Sequence, residues 1–130
     1  MEKTLIEYFG YSTFRPKQRE IIESVISKHN TLGVLPTGLG KSICYQIPTL
    51  MQDGLTLVIS PLIALMQDQV EDLNRRDIPA AYLNSTLSQA QITKVESNLS
   101  NNQYKFLYVA PERLVSDTFQ DFLKTLKIDL

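Results

Sequence analysis

The sequence contains no tryptophan, one cysteine (Cys44) and one histidine (His29) among its 130 residues. A lone cysteine excludes an internal disulfide and a cysteine-built metal site, and it fits a reducing compartment such as the cytoplasm. No apolar run approaches the roughly 20 residues that a membrane span needs, and no signal-peptide pattern opens the chain. Repeats, low-complexity tracts and long linkers are absent as well, so no internal domain boundary is expected. An excess of one charge is also missing: 13 Lys and Arg stand against 14 Asp and Glu, a net charge of −1. That balance argues against a strongly basic nucleic-acid coat but leaves room for a local groove. What remains is 43% hydrophobic and 21% charged, the composition of one ordinary soluble globular domain with a real core.

Short apolar runs alternate with longer segments of helical period, which predicts an α/β fold with a parallel sheet and flanking helices. The expected strands are 31–35, 55–59, 80–83 and 105–109. A helix starting near Pro16 turns Ile21, Ile22, Val25 and Ile26 inward. Three further stripes are Leu62, Leu65, Met66, Val70 and Leu73; Ile92, Val95 and Leu99; and Val115, Phe119, Phe122, Leu123 and Leu126. Each strand leads into a turn-forming cluster: Pro36-Thr37-Gly38, Ser60-Pro61-Leu62, Asn84-Ser85-Thr86 and Ala110-Pro111-Glu112-Arg113. Parallel strands bring such clusters to one carboxyl edge, where folds of this kind bind ligands. Four clusters there suggest a nucleotide and a second ligand side by side.

The most informative cluster is Leu35-Pro36-Thr37-Gly38-Leu39-Gly40-Lys41-Ser42. A glycine-containing loop between an apolar run and a helix lets backbone N–H groups close around phosphates. The helix N-terminus adds partial positive charge, Lys41 reaches the β/γ-phosphates, and the Ser42 hydroxyl suits Mg²⁺. The general phosphate-loop pattern has glycine where Leu35 stands. Upstream, Arg15 and Gln18 lie across a helix start with Pro16 at its first position. A glutamine amide matches the N6/N7 edge of adenine, and Tyr11 and Arg15 could stack on its faces; the competing reading is a solvated helix glutamine. Ser60 and Asn84-Ser85-Thr86 offer groups that hold phosphates, or plain helix caps. Glu112 and Arg113 could form an exposed ion pair of little worth. Arg75-Arg76 closes a helix and Cys44 fills space, both structural readings.

Taken in order, these segments resemble the RecQ family of superfamily 2 DNA helicases. The resemblance rests on Phe9-Gly10-Tyr11, Phe14-Arg15-Pro16-Lys17-Gln18, the phosphate loop with its Cys44-Tyr45-Gln46-Ile47-Pro48 extension, Val58 to Val70, Leu83 to Thr86, and Tyr108 to Leu114. It runs nearly the whole chain. It accounts for Leu35, because superfamily 2 loops do not require that first glycine, while Leu39 departs from the usual glycine between Gly38 and Gly40. The resemblance implies a P-loop NTPase lobe of RecA-like fold, with ATP and Mg²⁺ as cofactors. Tyr11, Arg15 and Gln18 would contact adenine; Thr37, Gly38, Leu39, Gly40, Lys41 and Ser42 would hold phosphates and metal. Ser60, Pro61, Asn84, Ser85, Pro111, Glu112 and Arg113 would face single-stranded or partly duplex DNA. It further implies 3′ to 5′ translocation in DNA repair and recombination. Single-strand-binding or recombination proteins are the implied partners, with no membrane role and a nuclear site not excluded.

Hydrolysis also needs a carboxylate pair at a strand end. None of the apolar runs in 1–130 ends in Asp-Glu, so the family's Asp-Glu-Ala-His motif is expected a few residues beyond Leu130. Residues 1–130 are then expected to be the amino-terminal part of the first lobe, inactive in isolation. The alternative function is a non-hydrolysing nucleotide- or nucleic-acid-binding module; a P-loop kinase or transporter ATPase is disfavoured by the Phe-Arg-Pro-x-Gln block.

Overall fold

The computed structural model describes residues 1–36 and 40–130. The chain divides into two compact units, Met1–Asp53 and Gly54–Leu130. The first unit holds helices α1 (Glu2–Phe9), α2 (Gln18–Ile26) and α3 (Ile43–Leu50). Helix α1 was not anticipated: its eight residues bury only Leu5 and Phe9, too short a stripe to stand out as a period. Helix α2 begins two residues after Pro16, because Lys17 adopts φ 71° and breaks the helical path there. Ile22 is fully buried, while Ile21, Val25 and Ile26 are only half-buried. Both α1 and α2 pack against α3, whose Ile43, Cys44 and Ile47 are buried.

The expected strand at 31–35 does not form. A strand is stable only when a neighbour takes up its backbone hydrogen bonds, and no sheet pairing involves these residues. Leu32 and Val34 are consequently 89% and 82% exposed, and only Leu35 is buried.

In the second unit the other three strands appear where the apolar runs lie: β1 (Thr56–Ile59), β2 (Ala80–Leu83) and β3 (Phe106–Val109). They form a parallel sheet in the order β1-β3-β2. The central β3 is buried at every residue, as expected for a strand covered on both faces. Parallel neighbours require helical crossovers, supplied by α4 (Ile63–Arg75) and α5 (Gln89–Ser100). Beyond β3 come a 3₁₀ turn (Pro111–Val115) and α6 (Asp117–Leu123). Ala81, Leu83, Leu107 and Val109 form one apolar face with Leu99 of α5 and Phe119 of α6, each large side chain contributing about 1.5–3 kcal/mol of burial. Helix α4 packs on β2 and β3 through an i, i+4, i+7 stripe of Met66, Val70 and Leu73.

Two stripes needed correction. Leu62 and Leu65 are 59% and 44% exposed, because Leu62 precedes α4 and Leu65 sits about 100° round the helix from Met66. The expected helix through Val115 is broken at Ser116, whose hydroxyl accepts from Phe119 N at 3.3 Å and caps α6, leaving Val115 80% exposed. At the other side of β1, residues 127–130 run parallel to the strand. Leu55 N donates to Lys127 O, Asp129 N to Leu55 O and Leu57 N to Leu130 O, each at 2.9 Å. Gly54 N donates to Asp129 Oδ2 at 2.7 Å. A Cβ on Gly54 would stand 2.6 Å from that carboxylate, so glycine is what permits the approach.

Candidate nucleotide and nucleic-acid sites

In the first unit the turn before α2 is closed by two reciprocal bonds. Gln18 N donates to Arg15 O at 3.2 Å, and Arg15 N donates to Gln18 Oε1 at 2.8 Å. The Gln18 amide then reaches across the unit, Nε2 donating to Gly40 O at 3.0 Å. Gln18 is 4% exposed, which overturns the solvated alternative. Gly40 sits at φ +69°, and a Cβ there would stand 2.6 Å from Gln18 Nε2. Both the backbone conformation and the close approach therefore call for glycine. The residue read for base recognition is thus hydrogen-bonded to the residue preceding Lys41.

The other described members of the expected base-binding set, Tyr11 and Arg15, lie at the surface. Arg15 is exposed, and Tyr11, 53% exposed, makes no hydrogen bond or ring contact among the described residues. Arg15 lines a hollow of about 470 Å³ with Ser12, Thr13, Phe14 and Lys17. Arg19 lines it too, its guanidinium carbon 5.6 Å from the centre of the Phe14 ring, and is ion-paired with Glu2 and Glu23. Thr37, Gly38 and Leu39 lie outside the described residues.

Lys41 is exposed, and no carboxylate among the described residues pairs with it. Ser42 stands at the N-cap of α3 yet makes no side-chain cap hydrogen bond, so its hydroxyl is not consumed by the helix. At the start of α3 Cys44 N donates to Lys41 O at 3.1 Å and Tyr45 N to Ser42 O at 3.2 Å, so what this turn leaves for a ligand is the Lys41 ammonium and the Ser42 hydroxyl. Among the described residues no cluster of three or more His, Cys, Asp or Glu could hold a metal by itself. A divalent ion at Ser42 would therefore need oxygens from a bound phosphate, which is how Mg²⁺ is usually held. Burial pushes the Cys44 thiol up and keeps it protonated, consistent with its role as a packing residue.

In the second unit, the in-register pairing of Ile59 and Leu83 with Val109 brings three turns to one edge of the sheet. Pro61, Asn84, Ser85, Glu112 and Arg113 line one hollow of about 440 Å³ there. Ser60 and Pro111 flank it. Neither capping alternative holds. Ser60 Oγ accepts from Leu62 N at 3.2 Å, a turn rather than a helix cap. The cap of α5 is Ser88, in a reciprocal box with Gln91 that the Ser-x-x-Gln spacing spells out. Asn84 is 1% exposed and shapes its own turn, its Oδ1 accepting from Thr86 N at 2.9 Å and its Nδ2 reaching Met66 Sδ at 3.5 Å. Ser85 stays exposed. Arg113 does not pair with Glu112; its Nη2 lies 3.9 Å from Glu96 Oε1, and its guanidinium carbon lies 4.8 Å from the Phe119 ring centre. Sequence reasoning missed Glu96 because it sits mid-helix in α5, outside every motif. Arg75 and Arg76 pair with Asp72, as a structural reading requires.

Residues 15–128 match the DEAD/DEAH box helicase family. The chain belongs to that family. This helicase-family chain is 45% identical over 130 residues to the ATP-dependent DNA helicase RecQ of Synechocystis sp., covering 100% of the chain and 27% of that protein. It is 48% identical to RecQ of Bacillus subtilis, covering 99% of the chain and 22% of that protein. The RecQ resemblance carried by the motifs therefore extends across the whole chain, which spans about a quarter of the length of these relatives. Among solved structures, a hypothetical ATP-dependent RNA helicase from Sulfolobus tokodaii superposes with a TM-score of 0.71 at 23% identity, over 97% of this chain and 39% of that one. That likeness places the parallel sheet and its helices in the RecA-like helicase fold.

Proposed function

We propose that this chain is the nucleotide-binding portion of an ATP-dependent DNA helicase that moves 3′ to 5′ on single-stranded DNA and unwinds duplexes during repair and recombination. The observation that carries the reading is the Gln18–Gly40 bond at 3.0 Å, which joins a base-reading amide to the phosphate loop within one unit. The whole-chain similarity to RecQ proteins supports DNA as the second ligand. Lys41 neutralises the phosphates, Ser42 supplies one oxygen to Mg²⁺, and Tyr11, Arg15 and Gln18 select adenine. The turns at Ser60-Pro61, Asn84-Ser85 and Pro111-Glu112-Arg113 hold the DNA backbone. Mg²⁺ held through Ser42 would supply charge neutralisation at the phosphates. The relatives are about four times longer, which supports placing the Asp-Glu-Ala-His carboxylates, the second lobe and any protein partners' contacts outside residues 1–130. We place the activity in the cytoplasm, at the nucleoid if the source is bacterial.

Polarity is tested with two partial duplexes differing only in which strand carries the single-stranded tail. With the full-length protein, the 3′-tailed substrate should be unwound with ATP and Mg²⁺, and the 5′-tailed one should not. Equal unwinding of both, or preference for the 5′ tail, overturns the polarity; DNA and nucleotide binding without hydrolysis would favour a binding module instead.

Base selection has its own test. Gln18→Ala should weaken ATP binding and narrow the preference for ATP over GTP, since a site built to hydrogen-bond a base edge loses discrimination with that bond. An unchanged ATP:GTP ratio in single-turnover assays would leave Gln18 with only its structural bond to Gly40.

A further inference from the structure

Arg113 is held by partners that no motif includes. Its backbone is fixed at both ends, Arg113 N donating to Ala110 O at 3.1 Å and Ser116 N donating to Arg113 O at 3.3 Å. Its side chain is therefore the part free to move. The guanidinium lies 4.8 Å from the centre of the Phe119 ring, with Nη2 3.9 Å from Glu96 Oε1. That is an ion pair beyond hydrogen-bond length. Its Nε is buried and has no acceptor among the described residues. An unmet buried donor is unfavourable, and a part-exposed ion pair of this length returns little. The resting position is thus weakly held. The same side chain lines the hollow at the sheet edge, where Glu112 is the only carboxylate and Arg113 the only cation among the lining residues. With Arg113 drawn toward Glu96, the hollow offers an incoming phosphate no uncompensated positive charge.

Resting on the DNA-binding reading above, we propose that Arg113 is an exchange switch. Without DNA, Glu96 and Phe119 hold its guanidinium; a backbone phosphate entering the hollow displaces Glu96 and takes the guanidinium in a two-pronged, charge-assisted pair that also satisfies Nε. Glu96 is then a restraining residue, and its removal strengthens DNA binding rather than weakening it. A merely structural Glu96 would have the opposite effect or none.

The test is a double-mutant cycle in the full-length protein, measuring oligo-dT affinity across a salt series. Glu96→Gln should tighten binding about two- to fivefold, the range of one released surface pair. Arg113→Gln should weaken it and flatten the salt slope by about 0.7, one phosphate contact fewer. In the Arg113→Gln background, Glu96→Gln should no longer tighten binding. Phe119→Leu, which removes the ring but keeps an apolar filler, should also tighten binding if Glu96→Gln proves poorly folded. On adding oligo-dT to wild type, the Arg113 Nε–H resonance should shift and exchange more slowly with water. Tightening that persists without Arg113 would mean simple loss of a nearby negative charge, and it overturns the switch. So does wild-type DNA binding that neither Glu96→Gln nor Phe119→Leu alters. A wild-type protein that binds no single-stranded DNA overturns the proposed function, and the switch falls with it; binding that is intact but insensitive to Glu96 sinks the switch alone.

Discussion

In the full-length protein, Lys41→Ala is expected to lower DNA-stimulated ATP hydrolysis by two to three orders of magnitude, and unwinding with it. Lys41 follows Gly40 at the entrance to α3, and no carboxylate among the described residues neutralises its charge. That charge is available to the phosphates, both when nucleotide binds and when negative charge redistributes over the transferring group. Losing one such preorganised contact typically costs a factor of about 10²–10³ in rate. Because Lys41 is exposed, the substitution should move folding stability by no more than about 0.5 kcal/mol. Thermal melting therefore serves as the control. Unwinding at near wild-type rate in a folded Lys41→Ala protein would remove the phosphate loop from the mechanism.

Gly40→Ala should raise the dissociation constant for ATP by roughly tenfold or more, from two separable causes. A non-glycine residue held at φ +69° carries about 1–3 kcal/mol of backbone strain. The added methyl would also stand 2.6 Å from Gln18 Nε2, displacing the amide that donates to Gly40 O. The amide is the far end of a side chain and can swing aside, so the steric cost is recoverable while the dihedral cost is not. A Gln18→Ala/Gly40→Ala double variant should bind ATP no worse than Gly40→Ala alone, since the lost amide and the overlap are then the same event. Independent, additive losses from the two substitutions would show that Gln18 and Gly40 do not act as one joint.

Much of this protein is legible in its sequence because the relevant physics is local. The three apolar runs near 55–59, 80–83 and 105–109 became parallel strands within a residue of their expected bounds. Each is short, apolar and followed by a turn, and the crossover helices leave few other pairings. Lys41 and Ser42 stood out for the same reason, since a glycine-flanked loop opening a helix is a local arrangement. Where a neighbour had to be supplied from far along the chain, the local pattern alone did not decide the outcome. The run 31–35 looks as strand-like as the others, yet it lacks a pairing partner and leaves Leu32 and Val34 in solvent. Gln18 read as a solvated helix residue or an adenine contact, and neither reading pointed to Gly40, 22 positions away, which folding brings onto its amide. Arg113 read as a DNA contact or an exposed partner of Glu112, and packing set it against Glu96 and Phe119, which neither reading named. Three of the four expected strands and the main helical stripes were determined by local sequence. Which polar groups are buried, and against whom, was decided only by tertiary structure, because a hydrogen bond or ion pair between distant residues depends on ångström-scale placement that no local pattern encodes.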